Sequence, residues 1–240
     1  MKLIQAGRYC FALALLAFGV QHFVYARYAT GLGPPWIPGH TVRACLMGAV
    51  LVLAGLAIVT RKKDRCAAIV LGVVLLIFFL FAYLPRLVAN VHDPGPWTSG
   101  AEILALSGVS WTLAGSLASG ASLMTRLGRS LFALTLTVFG IQHLIYGQFV
   151  ATLIPSWIPG RLFFAYAVGI AFIAATLSIL SGIKARLAAT LLGIMFLTWV
   201  FILHSPRVMA ASTNGNEWTS LLVALAMSGG SWIVAATASN

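Results

Sequence analysis

Two histidines, two glutamines and two tyrosines stand in one pattern that the chain carries twice. Gly19, Gln21, His22 and Tyr25 are followed 121 positions on by Gly140, Gln142, His143 and Tyr146. An imidazole can pass a proton near neutral pH or give a lone pair to a metal. On a helix Gln21 and Tyr25, four apart, share a face, with His22 three from Gly19 and three from Tyr25, so one stripe is polar. After each copy comes a loop with a tryptophan between prolines: Pro34, Trp36, Pro38 and Gly39, then Pro155, Trp157, Pro159 and Gly160. Arg86 and Arg207 each follow a proline and add a pair of cationic donors. Glu102 and His204 are particular to one half, since Val223 stands opposite Glu102 and Tyr83 opposite His204. The candidate ligand-binding set is therefore Gln21, His22, Tyr25, Trp36, Arg86, Glu102, Gln142, His143, Tyr146, Trp157, His204 and Arg207. No nucleotide loop, metal cluster or paired nucleophile and base is legible, so no catalytic residue and no metal ligand is assigned.

These residues sit within a longer repetition. The 121-residue step also joins Arg8 to Arg129, Gly48 to Gly169, Arg65 to Arg186, Gly72 to Gly193, Pro85 to Pro206, Trp97 to Trp218 and Trp111 to Trp232. About 40 of roughly 110 aligned positions are identical without a gap, far beyond apolar bias, which marks a tandem duplication. The halves are 1–120 and 121–240.

Composition sets the solvent. Hydrophobic residues make up 60% of the chain, charged residues 8%, and the mean hydropathy is +0.98. A chain like this is as apolar outside as inside, which means lipid. The net charge of +11 does not point to nucleic acid, because the Lys and Arg residues lie between apolar runs and not on one solvated face. Cys10, Cys45 and Cys66 form no C-x-x-C pair and have Leu131, Tyr166 and Leu187 at the equivalent positions, which argues against a thiol redox centre. The first apolar run has no A-x-A cleavage site, and its copy lies mid-chain, so it is read as part of the mature protein.

A helix needs about 20 mostly apolar residues to cross hydrocarbon. Eight such spans are expected, near 8–27, 41–60, 66–84, 98–118, 129–147, 161–181, 186–205 and 218–237. The fold class is all-α membrane protein: two parallel-repeat four-helix bundles related by a pseudo-two-fold axis along the membrane normal. With a cytoplasmic N-terminus that side holds Lys2, Arg8, Arg61, Lys62, Lys63, Arg65, Arg126, Arg129, Lys184 and Arg186. The other side holds Arg27, Arg43, Arg86, Arg161 and Arg207. Basic residues favour the inside, so both termini are expected in the cytoplasm of a bacterial-type membrane.

The prolines around Trp36 and Trp157 prevent continuous helix there, and both loops are expected to pack on protein at the outer mouth. His22 lies fourteen residues past Arg8, about 21 Å up at 1.5 Å per residue in a core about 30 Å thick. Glu102 falls at a similar level. It is the only acid within an expected span, and His22, Arg86 and Arg43 are its candidate partners. The residues also have simpler roles. The tryptophans suit an interfacial aromatic belt. Arg86 and Arg207 can end their helices and reach to headgroups. His22 and His143 can tie a helix to its capping loop, and the Gly and Ser residues of Ser107–Ser110 and Ser228–Ser231 permit close helix approach.

The four-span unit with G-x-Q-H-x-x-Y in its first helix, P-x-W-I-P-G in the next loop, and P-R, W-T and G-x-S-W towards its end resembles the DoxX-like membrane proteins. The resemblance covers both halves. Members of that family include a membrane subunit of thiosulfate:quinone oxidoreductase. The resemblance therefore implies a quinone-linked membrane subunit, with His22, Trp36, His143 and Trp157 as matching positions and a membrane or extracytoplasmic redox partner. On this reading a quinone sits in one outer pocket framed by both copies, with the histidines or Glu102 relaying protons. A b-type haem between His22 and His143, with arginines on its propionates, is the other cofactor considered. The alternatives are a non-enzymatic assembly subunit docking an extracytoplasmic partner, and a small-solute transporter using the gap between halves.

Overall fold

A computed structural model describes residues 2–26, 39–119 and 122–238, and among them the regular structure is entirely helical. The long helices are α1 (Lys2–Val24), α2 (His40–Thr60), α3 (Asp64–Ala89), α4 (Pro94–Ser116), α5 (Leu123–Ile145), α7 (Arg161–Ser181), α8 (Ala185–Ala210) and α9 (Gly215–Thr237). A short α6 (Gly147–Leu153) follows α5. Seven of the long helices are long and apolar enough to cross a membrane. The exception is α4, whose 23 residues are rich in Gly, Ser, Thr and Pro. Its position explains that composition, because most of its second half is buried and it presents little surface to lipid. Outward-facing apolar side chains such as Leu53, Phe163, Ile170 and Phe201 are more than 60% exposed, as the surface of a membrane protein requires.

The packing order differs from two self-contained four-helix bundles. Helix α1 packs on α2, α2 on α3, α3 on α4, α4 on α5, α5 on α7, α7 on α8, and α8 on α9. The ring then closes through α9 on α1, while α4 and α9 meet across its middle. The first helix of each half therefore docks on the last helix of the other. Glycines at the two seams account for this pairing. A β-carbon on Gly7 would stand 2.7 Å from the Gly229 carbonyl oxygen, and one on Gly108 would stand 2.7 Å from that of Gly128. Without side chains there, the backbones approach closely enough for many dispersion contacts, which drive helix association in lipid.

The ends of the helices that carry both termini are knit by arginine. Arg8 is buried and donates to the Ile58 carbonyl at 3.2 Å and to the Asp64 carboxylate, while Arg129 donates to the Thr237 carbonyl at 3.1 Å. Arg8 is therefore an internal clasp between α1, α2 and α3. The turns that follow are tight, with Arg61 and Lys63 in the left-handed region before α3, and Gly182 and Lys184 before α8.

Two helices run past the ends expected for them. Pro85 and Pro206 lack an amide hydrogen and crowd the carbonyl four residues back, which suggests helix termination. The chain instead widens into one π-helical turn at Phe79–Tyr83 and at Val200–His204, then continues as α-helix to Ala89 and Ala210. The π-turn absorbs the missing hydrogen bond, and the Ser205 hydroxyl donates to the Val200 carbonyl at 2.7 Å.

Candidate functional site

Cavities open on either side of the central helices α4 and α9, where one shared pocket was expected, and two of them take in candidate residues. The first has a volume of about 990 Å³ and is walled by α1, α2, α3, α4 and α9. It takes in Gln21, His22, Tyr25, Tyr83, Ser99, Glu102 and Thr219, and opens toward the Ser212–Asn216 turn. The second, of about 440 Å³, is walled by α4, α5, α7, α8 and α9, with α6 and Ile154, Pro155 and Ile158 at its rim. Phe139, His143, Phe172, Phe196, Trp199 and His204 line it, so it is narrower and far more aromatic. Glu102 and Val223, one from each central helix, line both.

Each histidine of the repeated motif is fixed by its own helix. His22 Nδ1 lies 2.8 Å from the Phe18 carbonyl oxygen, and His143 Nδ1 lies 2.8 Å from that of Phe139. A carbonyl only accepts, so Nδ1 carries the proton and Nε2 of the neutral ring is left as an acceptor. His143 thus bonds one turn back along its own helix and not to its capping loop, while the loop after His22 lies outside the described residues. His143 is held further by a stack on Trp199, with ring centroids 6.4 Å apart and planes at 15°, and by the edge of Phe172 at 5.4 Å.

The glutamines work across the seams. Gln21 Nε2 donates to the Gly215 carbonyl at 2.8 Å and to the Thr219 hydroxyl at 2.6 Å. Gln142 Nε2 donates to the Pro94 carbonyl at 2.9 Å, and its oxygen accepts from the Thr98 hydroxyl at 2.9 Å. Tyr25 joins the same seam as Gln21, donating to the Thr213 carbonyl at 3.2 Å. Gln142, Tyr146, Arg86, Arg207 and Trp157 line neither cavity. Tyr146 bridges α5 and α6 through its backbone. Arg86 is exposed and lies 6.0 Å from the Tyr83 ring centre. Arg207 makes a two-pronged ion pair with Glu217, both contacts at 2.9 Å.

Trp157 is 70% exposed, so in the second loop the cavity is faced by Ile154, Pro155 and Ile158, and the indole points away from protein. Trp36 and the first Pro-Trp-Ile-Pro loop lie outside the described residues. The indoles of Trp97 and Trp218 donate to the Val91 and Ser212 carbonyls at 3.0 and 2.8 Å and so fasten the turns before α4 and α9.

Glu102 is not paired with His22, Arg43 or Arg86; among the described residues the ion pairs are Arg8 with Asp64 and Arg207 with Glu217. His204 contributes a buried Nδ1 with no hydrogen-bond partner. A buried nitrogen without a partner is destabilising unless something else satisfies it.

A haem ligated by both motif histidines does not fit this arrangement. His22 and His143 stand in separate cavities with α4 and α9 between them. The second cavity offers aromatic walls, with His143, His204 and Glu102 as the titratable residues of its lining. Phe172, Phe196, Trp199 and Glu217 were not among the candidates from sequence. Their signal lay in the differences between halves, where Leu51, Leu75, Phe78 and Pro96 occupy the equivalent positions. No group of three or more His, Cys, Asp or Glu among the described residues could hold a metal ion.

Compared with protein-family models, curated proteins and solved structures, the chain matches none.

Proposed function

We propose that this protein binds a quinone-class ligand in the aromatic cavity and serves as a redox-linked membrane subunit, in keeping with its DoxX-like motifs. The observation that carries this reading is the stack of His143 on Trp199 inside a cavity of about 440 Å³, with Nε2 uncommitted and His204 lining the same space. Ligand sites combine an apolar wall with a few convergent polar groups in this way. A bound quinone would supply two-electron, two-proton chemistry. The protein's own residues orient it: His143 Nε2 accepts a hydrogen bond from a hydroxyl, and Phe172, Phe196 and Trp199 supply the apolar wall.

Decylubiquinone binding to the purified protein, followed by quenching of tryptophan fluorescence, tests this. His143→Ala should weaken binding, while His22→Ala, in the other cavity, should leave it intact. Equal affinity in wild type and His143→Ala would remove the reading.

The proposal extends to topology. In it α4 is an eighth crossing, shielded by its neighbours, so the halves are parallel repeats and both termini are cytoplasmic. Its support is the basic bias of the inner turns and the packing of α4 between α3 and α5. Cys66, exposed at the start of α3, should react with a membrane-impermeant maleimide from the cytoplasmic face alone. Labelling from the outer face would reverse the orientation.

A non-enzymatic assembly role has one observation in its favour, the exposed indole of Trp157 on the outer loop. Loss of a co-purifying partner in Trp157→Ala, with decylubiquinone binding unchanged, would support it.

A further inference from the structure

The chain has four acidic side chains, and three are tied down. Asp64 is paired with Arg8, Glu217 with Arg207, and Asp93 accepts from the backbone amide of Gly95 at 2.9 Å. Glu102 has no hydrogen-bond or ion-pair partner among the described residues. It is also the acid set among the packed helices, where a charge without a partner is strongly disfavoured and usually marks a pathway or a relay. The fold does not need an acid there, since Val223 fills the equivalent place on α9 and lines the same two cavities.

Position gives Glu102 its meaning. On one side lies the larger cavity, whose Gln21, Ser99, Asn214 and Thr219 can hold water continuous with the outer face. On the other lies the aromatic cavity, whose lining is mostly apolar. The titratable groups around Glu102 divide in the same way: His22 on α1 and Tyr83 on α3 face the first cavity, and His143 on α5 and His204 on α8 face the second. Helix α9 presents Val223, Arg86 lies against the Tyr83 ring, and Arg207 is engaged by Glu217.

We propose that Glu102 is a proton-exchange group set in the wall between the two cavities, taking protons from water in the polar cavity and delivering them into the aromatic one. The inference rests on the ligand reading above for its destination, but not for its route. In each passage the carboxyl O–H bond breaks and its proton goes to an acceptor oxygen or nitrogen in the aromatic cavity. The carboxylate left behind then takes a proton from a hydronium ion in the polar cavity. No electrons move in this step.

Infrared spectroscopy of the purified full-length protein tests it. The wild type should show a protonated-carboxyl band at acidic pH that is lost in Glu102→Gln and in Glu102→Val, the latter patterned on Val223. In D2O that band should shift promptly, and equally so with decylubiquinone filling the aromatic cavity. Ser99→Trp, which fills the polar cavity, should slow the shift, and retained decylubiquinone quenching shows that this variant is folded. A band unchanged in both Glu102 variants, or absent from the wild type, overturns the proposal. So does exchange that stops when decylubiquinone is bound and is indifferent to Ser99→Trp, because protons then enter through the aromatic side. If decylubiquinone does not quench the wild type, the ligand reading fails on its own. The polar route is then decided by Ser99→Trp in the ligand-free protein, with its thermal transition as the measure of folding.

Discussion

Gln142 carries the same motif as Gln21 but lines neither cavity; its amide is committed to Pro94 and Thr98 of α4. It joins two helices, and the same holds for most of what Gln21 does at Gly215 and Thr219. Hydrogen bonds between helices in membranes contribute about 0.6 kcal/mol on average, because the separated helices find other partners in the bilayer. Gln142→Leu should therefore lower stability by about 1 kcal/mol, read as a lower thermal transition in detergent, and should leave decylubiquinone affinity unchanged. A loss of affinity with unchanged stability would return Gln142 to the ligand site. The sequence made this residue conspicuous through its repetition, but not its partners. Gln21 and Thr219 lie 198 positions apart, and Gln142 and Thr98 lie 44 apart; the two pairs are equivalent under the 121-residue step, each made from one half to the other. What two halves share is legible from one chain, whereas a bond made between the halves is visible only once they are packed. The same limit hid the aromatic wall, since Phe172, Phe196 and Trp199 look like ordinary core until His143 is found against them.

At the scale of elements, the helices were legible almost to their ends, because apolar runs of membrane-spanning length have few alternatives in lipid. The π-turns were not. A proline in a helical run normally signals a stop, and here the extra residue in the turn before it lets the helix continue. That turn sets the facing of what lies on it: His204 ends the second π-segment and lines the aromatic cavity, while Arg207, three residues on, reaches Glu217. Pro206→Ala restores the amide and permits a regular α-helix. Closing the bulge removes one residue from the turn and rotates one side of the helix against the other by about 100°. Arg207 and His204 then cannot both keep their present directions. The expected result is weaker decylubiquinone binding, or a broken Arg207 and Glu217 contact, with little loss of helix content by circular dichroism. A variant that keeps wild-type affinity, and in which Glu217→Gln changes stability as it does in the wild type, would show that the bulge does not set the site.

For the whole molecule, duplication suggests that each half is a unit, and the packing opposes that. The partner of α1 across the Gly7 and Gly229 seam is α9, and the partner of α5 across the Gly108 and Gly128 seam is α4. Each cavity likewise needs a wall from the other half, α9 for the first and α4 for the second. Residues 1–120 alone would leave the bare glycine face of α1 and the polar amide of Gln21 against lipid, where neither finds the backbone it is shaped for. Expressed separately, segments 1–120 and 121–240 should each aggregate or self-associate in mild detergent, the natural substitute being a second copy of the same half. Expressed together, they should assemble one to one, elute at the size of the intact chain, and recover decylubiquinone quenching. Gly229→Leu in the second segment should prevent that assembly, because a side chain there meets the backbone of Phe11 and Gly7. Stable, monodisperse single halves indifferent to Gly229→Leu would mean that the seam is incidental. Assembly that depends on the glycine would mean that joining the halves is what creates the two cavities and puts Glu102 between them.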